Sequence, residues 1–455
     1  MDLNRSTLKY RPLVLFLCIS PSAFALTHIT SVPFECDKSG ETYVLANDIT
    51  IAPDATIRVS APDVVIDGTE ATISIGSDDV VLKAIFCTGA NTEIRNCTFR
   101  ISRGARLTLV EHTASGGTVH HCTVYASGLY HGSSGYPRLF VPTRSCTYYQ
   151  NTFVIDSTCK YVNVIVGFGD NVDDVRVYRN TFEYASTHGR PILMDSGADN
   201  WRVENNKLTI KSRNTGDSTT YAIMCRNGNV HIGGSPSTHH SIVNNVIDAR
   251  ASSRTMGIVL SSNSEDILIQ NNTVSAPYYP IRFTDISESI QIHCNILDNN
   301  EDGDVISMYG SSHKNVIFMN NEITGGEQLM RIYEDLPGEG EIKMCGNVGL
   351  TDLSAIQAAS SADIEFSSSS CQTLEDNYSE RGADLSILGR QGSTNPPYLD
   401  WVRSHAGIHF VKKPESLGCY TLRGRRVTSG SRFTLPGILL LHKARESTVL
   451  PVIQF

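Results

Sequence analysis

After residue 25 this chain of 455 residues has no apolar run approaching the ~20 residues that a membrane helix needs. Basic excess is missing too. Only 19% of residues are charged and the formal net charge is −9, which argues against general nucleic-acid binding. It also argues mildly against a broad, purely electrostatic grip on polyanionic glycans, although local basic clusters could still serve. No CxxC pair and no Cys/His cluster has zinc-like spacing, so metal binding through sulfur is not expected. There is no nucleotide loop, nucleophile elbow or zinc motif. At 40% apolar residues the composition is neither disordered nor that of a membrane protein. The length allows one long solenoid or two to three compact domains.

A short recurring phrase is present instead. It reads Asn151-Thr152-Phe153, then returns at Asn180, Asn206, Asn245, Asn272, Asn295 and Asn321, with a weaker copy at Asn347. The intervals are 29, 26, 39, 27, 23, 26 and 26 residues. Upstream, Cys97 and Cys122 occupy the same slot. A period in this range is the mark of a solenoid. Three residues before each slot stands an apolar residue: Ile94, Val119, Tyr148, Val177, Val203, Ile242, Ile269, Ile292, Phe318 or Met344. Its neighbours are mostly polar, the alternation of a half-buried strand. A turn of ~25 residues holds about three short strands with corners between them. Stacking turns at ~4.8 Å sets each asparagine above the last. There it can bond its own backbone and the next asparagine, satisfying groups whose burial would otherwise cost about 1–3 kcal/mol each.

With that phrase, and with Val64-Val65-Ile66-Asp67-Gly68-Thr69 as an opening turn, the chain resembles the pectate-lyase-like class over roughly residues 40–350. The resemblance implies an all-β fold: a right-handed, single-stranded parallel β-helix with an asparagine ladder. It says little of function, since the class includes lyases, hydrolases, epimerases, adhesins and inert binders. The paired aspartates of polygalacturonases are not found, nor the calcium-aspartate and Arg-Pro signatures of the main pectate lyase family.

Residues 1–25 read as a signal peptide. Arg5, Lys9 and Arg11 lead into Leu13–Ile19, and Ala23-Phe24-Ala25 has the form of a cleavage site. An exported protein, secreted or at the cell surface, is the expectation. Residues 26–90 should form the N-terminal cap and first turns, 91–350 the β-helix body, and 351–413 a C-terminal cap and linker. In 414–455, Tyr420-Thr421-Leu422-Arg423-Gly424-Arg425-Arg426-Val427 resembles the sorting domain of type IX secretion. That resemblance implies a small β-module and the secretion machinery as a partner. Without Cys18 the chain has eleven cysteines, so at least one is unpaired in a monomer. Cys97 and Cys122 could form a disulfide or a stack of buried thiols, the latter slightly favoured.

Counting from the ladder nominates two outer faces. One carries Arg95, His120, Tyr149, Tyr178, Arg176, Arg202 and Glu204, and turns apolar at Val243, Leu268, Ile317 and Met319. The gradient reads either as a sugar-binding stripe on the early turns with a covered surface on the later ones, or as ordinary solvated surface throughout, the latter favoured. The other lies about 14 residues upstream of each asparagine. If Ile192, Ile223, Ile258 and Ile281 point inward, then Asp195, Arg226, Ser261 and Thr284 share an outer column that Tyr309 and Tyr333 join. Arg282 and Arg331 stand in the next column. An aspartate can take a proton or bind a cation, and an arginine can hold a uronate carboxylate bidentately. Asp195, Arg226 and Arg282 are therefore the catalytic candidates. His188, Arg190, Tyr278, Tyr309, Arg331 and Tyr333 are the substrate-binding candidates. The bland alternative for Asp195 and Arg226 is a cross-strand ion pair worth little at a surface. Asp170, Asp173 and Asp174 could hold calcium or simply make a solvated acidic turn; no other cofactor is expected. Two lengthened loops, 126–145 and the interval between Asn206 and Asn245, are further places for binding. The expected function is binding or degradation of extracellular polysaccharide, by a lyase or glycosidase reaction. The rival is a non-catalytic cell-surface or adhesion protein.

Overall fold

The computed structural model describes residues 26–349 apart from short interruptions at 70, 77–81, 106, 131–135, 170, 215–217, 227–236, 302, 333–341 and 346. It also describes 356–358, 364–366, 419–420 and 426–427. All regular structure in these residues is strand, and the coil is a parallel β-solenoid of three stacked faces. The groove face stacks the strands Arg138–Val141, Asn163–Phe168, Arg190–Asp195, Thr220–Arg226 and Thr255–Ser261 with the first parts of Tyr279–His293 and Asp304–Met319. The ladder face stacks three-residue strands such as Glu93–Arg95, Thr118–His120, Thr147–Tyr149, Arg176–Tyr178 and Arg202–Glu204. After each slot the chain enters the threonine face: Thr98–Ala105, Thr123–Ala126, Thr152–Ile155, Thr181–Tyr184, Lys207–Ile210 and onward. Every pairing on these faces is parallel and joins one turn to the next.

The corner between the ladder and threonine faces has a repeated conformation. The residue before each slot has positive φ: Asn96, His121, Gln150, Arg179, Asn205, Asn244, Asn271, Cys294 and Asn320, all at 53–57°. One left-handed residue between two extended ones bends the chain sharply, and asparagine tolerates that conformation better than other non-glycine residues. The slot residue then turns inward. Each asparagine from Asn180 to Asn347 accepts on Oδ1 from the main-chain N and the Nδ2 of the asparagine before it. Each Nδ2 also donates to the carbonyl of the inward strand residue one turn earlier, as Asn206 does to Val177 at 2.8 Å. The ladder is a continuous file with every amide used.

Inside the coil, the residue three before each slot is buried in all ten turns, from Ile94 to Met344. The threonine face contributes Phe99, Val124, Phe153, Phe182, Leu208, Ile247, Val274, Leu297 and Ile323, and the groove face contributes Ile165, Ile192, Ile223, Ile258, Ile281 and Ile306. They merge into one core. Local volume is matched from turn to turn: a Cβ at Gly167 would meet Trp201 at 2.2 Å, and Trp201 is wholly buried.

At the first rungs the chemistry changes. Cys97 and Cys122 are buried free thiols. Cys122 Sγ donates to the carbonyl of His120 at 3.3 Å, and its main-chain N donates to Asn151 Oδ1 at 3.0 Å. Bonding to the Cys122 thiol, and then burial, hold the Cys97 thiol well above its ordinary range.

Candidate functional site

Strand pairing on the groove face sets three outward columns. Phe168, Asp195, Arg226, Ser261, Thr284 and Tyr309 stand in successive turns. The next column is Val166, Leu193, Met224, Val259, Arg282, Ser307 and Arg331. A third holds Arg138, Asn163 and Arg190, then Tyr221, Met256 and Tyr279. The register expected from the ladder is the one present: Ile192, Ile223, Ile258 and Ile281 point inward and are fully buried.

The floor of this face is apolar although it points away from the core. Val166, Leu193, Met224, Met256, Val259 and Tyr279 form a second hydrophobic cluster, flanked by Tyr221 and Tyr278. Arginines lie over its aromatic rings. The Arg190 guanidinium stands 5.1 Å from the Tyr221 ring centre, Arg254 5.5 Å from Tyr278, and Arg282 5.5 Å from Tyr279. At the edge of the face Arg138 lies 4.1 Å from Phe168. Such cation–π contacts hold a guanidinium without neutralising it.

The arginines divide by partner. Arg226 forks onto Asp195, with Nε to Oδ1 at 3.2 Å and Nη2 to Oδ2 at 2.5 Å. Ser196 Oγ adds a bond to Oδ1 at 3.1 Å, and Asp195 is only 7% exposed. Arg331 pairs with the buried Asp304 at 3.1 Å. Arg190 and Arg282 meet no carboxylate among the described residues. Arg190 reaches the Met224 sulfur at 3.2 Å, and Arg282 reaches that of Met256 at 3.8 Å. Arg282 Nε, Ser307 Oγ and Asn163 Oδ1, on this same face, are buried polar atoms with no partner among the described residues. Burial first, then the neighbouring Arg226, push the Arg190 guanidinium below its ordinary value.

The structure thus brings together Asp195, Arg226, Arg190, Arg282 and Arg331, along with Tyr278 over Arg254. His188 sits at the entry to the Arg190 strand. Its ring is 4.6 Å from that of Tyr161, and its Nδ1 accepts from the Thr219 amide at 3.3 Å. Burial and Arg190 push its pKa down. Tyr309 is exposed at the far end of the Asp195 column. Tyr333 lies outside the described residues, as do parts of both lengthened loops. Missed from sequence were Arg138, Asn163, Tyr221, Met256 and Asp304. Their signal lay in a third column, where the corner entering each strand changes the count from turn to turn.

The other nominated face is organised differently. The His120, Tyr149 and Tyr178 rings stack at 4.6 and 5.0 Å, with interplanar angles of 7°. Glu93 bridges Arg95 at 2.9 Å and His120 at 3.0 Å, and Arg95 holds Asp67 at 2.8 Å. These rings spend their faces on each other, leaving edges for a ligand. On the later turns Val243, Ile317 and Met319 are buried although they point outward, while Leu268 is half-buried. The acidic turn is committed as well: Asp173 pairs with Arg144 at 2.8 Å, Asp174 accepts from Asn200 at 2.6 Å, and Asp170 lies outside the described residues. Among the described residues no group of three or more His, Cys, Asp or Glu could hold a metal ion, and no helix is long and apolar enough to cross a membrane.

No protein-family model matches the chain, and no curated protein matches it. Among solved structures it is similar to a mannuronic-acid-specific polysaccharide family 6 lyase from human gut microbiota, with TM-score 0.39 and 11% identity over 83% of this chain and 95% of that one. It is similar to the A-module of a mannuronan C-5 epimerase of Azotobacter vinelandii, with TM-score 0.34 and 12% identity over 72% and 90%. It is also similar to a surface protein and adhesin of Streptococcus pneumoniae, with TM-score 0.34 and 13% identity over 75% and 90%. These are likenesses of fold, and the fold is the parallel β-solenoid.

Proposed function

We propose that this is an exported β-helix protein that binds an acidic extracellular polysaccharide along its groove face. The observation that carries the reading is the pair Arg190 and Arg282, set on tyrosine rings with no carboxylate partner among the described residues. A half-buried charge without a counter-ion is unfavourable. An anionic polymer would supply the counter-ion bidentately. The two arginines stand three turns apart, about 14 Å at the strand spacing, so a chain lying along the solenoid axis reaches both. The tyrosines and the apolar floor offer surface to sugar rings.

For degradation, the pairing of Asp195 with Arg226 and of Asp304 with Arg331 argues against hydrolysis by two free carboxylates. A lyase reaction, in which an arginine neutralises the uronate carboxylate, fits the arginine-rich groove better. The same Asp195 pair favours the rival, a non-catalytic adhesion or display protein, because both oxygens of that carboxylate are already engaged by Arg226. Titration against uronate-containing and neutral glycans tests the reading, with ultraviolet absorbance of unsaturated ends and reducing-end release followed alongside. The acidic polymer should bind, more weakly as salt rises, and Arg190→Leu and Arg282→Leu should each weaken it about tenfold, or 1.4 kcal/mol. Equal binding by both variants would sink the groove. Release of unsaturated ends decides for the lyase, and binding without release decides for the rival. The leader expected at 1–25 lies outside the described residues, as does 414–455 apart from the antiparallel pair Cys419–Tyr420 and Arg426–Val427. Export is part of the proposal, and normal export after deletion of 414–455 would reject the sorting role.

A further inference from the structure

A second concavity lies off the groove, on the threonine face. Most of that surface is even. Thr72, Thr98, Thr123, Thr152 and Thr181 stand one per turn, and beside them runs a file of Ser74, Arg100, Tyr125, Val154 and Glu183. The evenness breaks at Arg100. Between Ile101 and Arg103 the strand Thr98–Ala105 slips register against Thr72–Gly76, and its second half pairs with Leu129–Tyr130 instead of Thr123–Ala126. Where the strands part there is a cavity of about 330 Å³ lined by Arg100, Tyr125, Ser127, Val154 and Asp156, among others. That volume falls at the small end of ligand pockets.

Its lining combines three chemistries. Tyr125 is 40% exposed, in a file that is otherwise small or polar. The Arg100 guanidinium lies 4.8 Å from its ring centre and makes no ion pair among the described residues. Asp156 accepts from the amide and hydroxyl of Thr158 on Oδ1 and lies beside the Cys159 thiol, a weak donor, so its carboxylate keeps acceptor capacity. A donor, an acceptor and an apolar ring therefore share one small concavity without neutralising each other.

We infer that this is a second carbohydrate site, fitted to a neutral pyranose unit. A sugar ring places its C–H face on apolar surface, and its hydroxyls both accept from a guanidinium and donate to a carboxylate. An anionic ligand would be repelled by Asp156 and a cationic one by Arg100, whereas a hydroxyl satisfies both. The inference does not rest on the acidic-polymer reading of the groove.

The test is calorimetric titration of the full chain with gluco-, manno- and galacto-configured neutral trisaccharides. At least one should bind saturably. Tyr125→Ala and Asp156→Ala should each weaken it about tenfold. Tyr125 is exposed, so its removal leaves the core intact, and acidic-polymer binding in the same Tyr125→Ala protein should be unchanged. Saturable binding by none of the three, or binding unaltered by Tyr125→Ala, overturns the site. Loss of neutral and acidic binding together in that variant also overturns it, by placing both in one groove.

Discussion

The asparagines inside the coil form one file, whereas the arginines of the groove face are spread over three columns, and the two sets are bonded in opposite ways. Each ladder amide is used on both ends, by a neighbour of its own kind and by a main-chain carbonyl at 2.8–3.1 Å. The arginines are not alike: Arg226 and Arg331 are paired, while Arg190 and Arg282 rest on rings. A solution repeated turn after turn and fully satisfied serves the scaffold. Side chains that differ from turn to turn and keep unspent donors are what the proposed binding face adds to it.

Acid should break the interior most severely. His112 and His313 are held down to about 4 and His240 to about 3, each chiefly by burial. The unfolded chain titrates these groups near the ordinary value of ~6.5, so between that pH and about 4 it binds more protons than the folded one. Stability is complete above ~6.5 and falls as pH drops, by up to about 1.4 kcal/mol per pH unit for each buried histidine. Denaturant titrations between pH 7 and pH 4.5 should show a loss of several kcal/mol, reduced in His313→Phe. A flat profile would mean that these rings are not buried neutral.

Next in size is the ladder itself. Asn206→Ala strands the main-chain N of Asn180 and the carbonyl of Val177, at about 1–3 kcal/mol for each buried group, and costs Asn180 Nδ2 one of its bonds. Its melting midpoint should fall further than that of any single groove variant, with glycan binding per folded molecule unchanged. A ladder variant as stable as wild type would erase the contrast between the asparagine file and the groove arginines.

The smallest effects should come from the groove, and they should split. Arg226→Ala leaves the Asp195 carboxylate buried without its partner and should destabilise by about 2 kcal/mol. Replacing both members by leucine should restore most of that. Arg190→Leu removes a charge with no carboxylate partner, so its thermal midpoint should match or exceed that of wild type. If Arg190→Leu destabilises as much as Arg226→Ala, then Arg190 is structural and the division between paired and unpaired arginines fails.

The solenoid was legible because its physics repeats: one slot, one inward residue three positions earlier, one period near 26. That ruler also placed the Asp195 and Arg282 columns correctly, since side chains alternate strictly along a strand. It offered an Asp195–Arg226 ion pair as one of two readings but could not choose between them, because bidentate geometry depends on rotamers. Nor could it find Tyr221 or the apolar floor. An outward Val166 or Leu193 reads as core in a one-dimensional pattern, and only the pairing shows it to lie on the outside. The pocket at Tyr125 was hidden because it depends on a register slip, which leaves no mark on residue spacing.

The ladder also has a direction. Seven successive links run from the Nδ2 of one asparagine to the Oδ1 of the next, from Asn151 to Asn347. The amide dipoles therefore point the same way, oxygen toward the first turns and N–H toward the last, and neighbours in such a chain polarise one another. The coil is electrically polarised along its length, much as a helix is by its peptide units. Its two ends are not interchangeable as joints. A turn added beyond Asn347 must present an acceptor in the slot, whereas a turn in front of Asn151 must present donors. Cys122 meets that demand with its main-chain N–H.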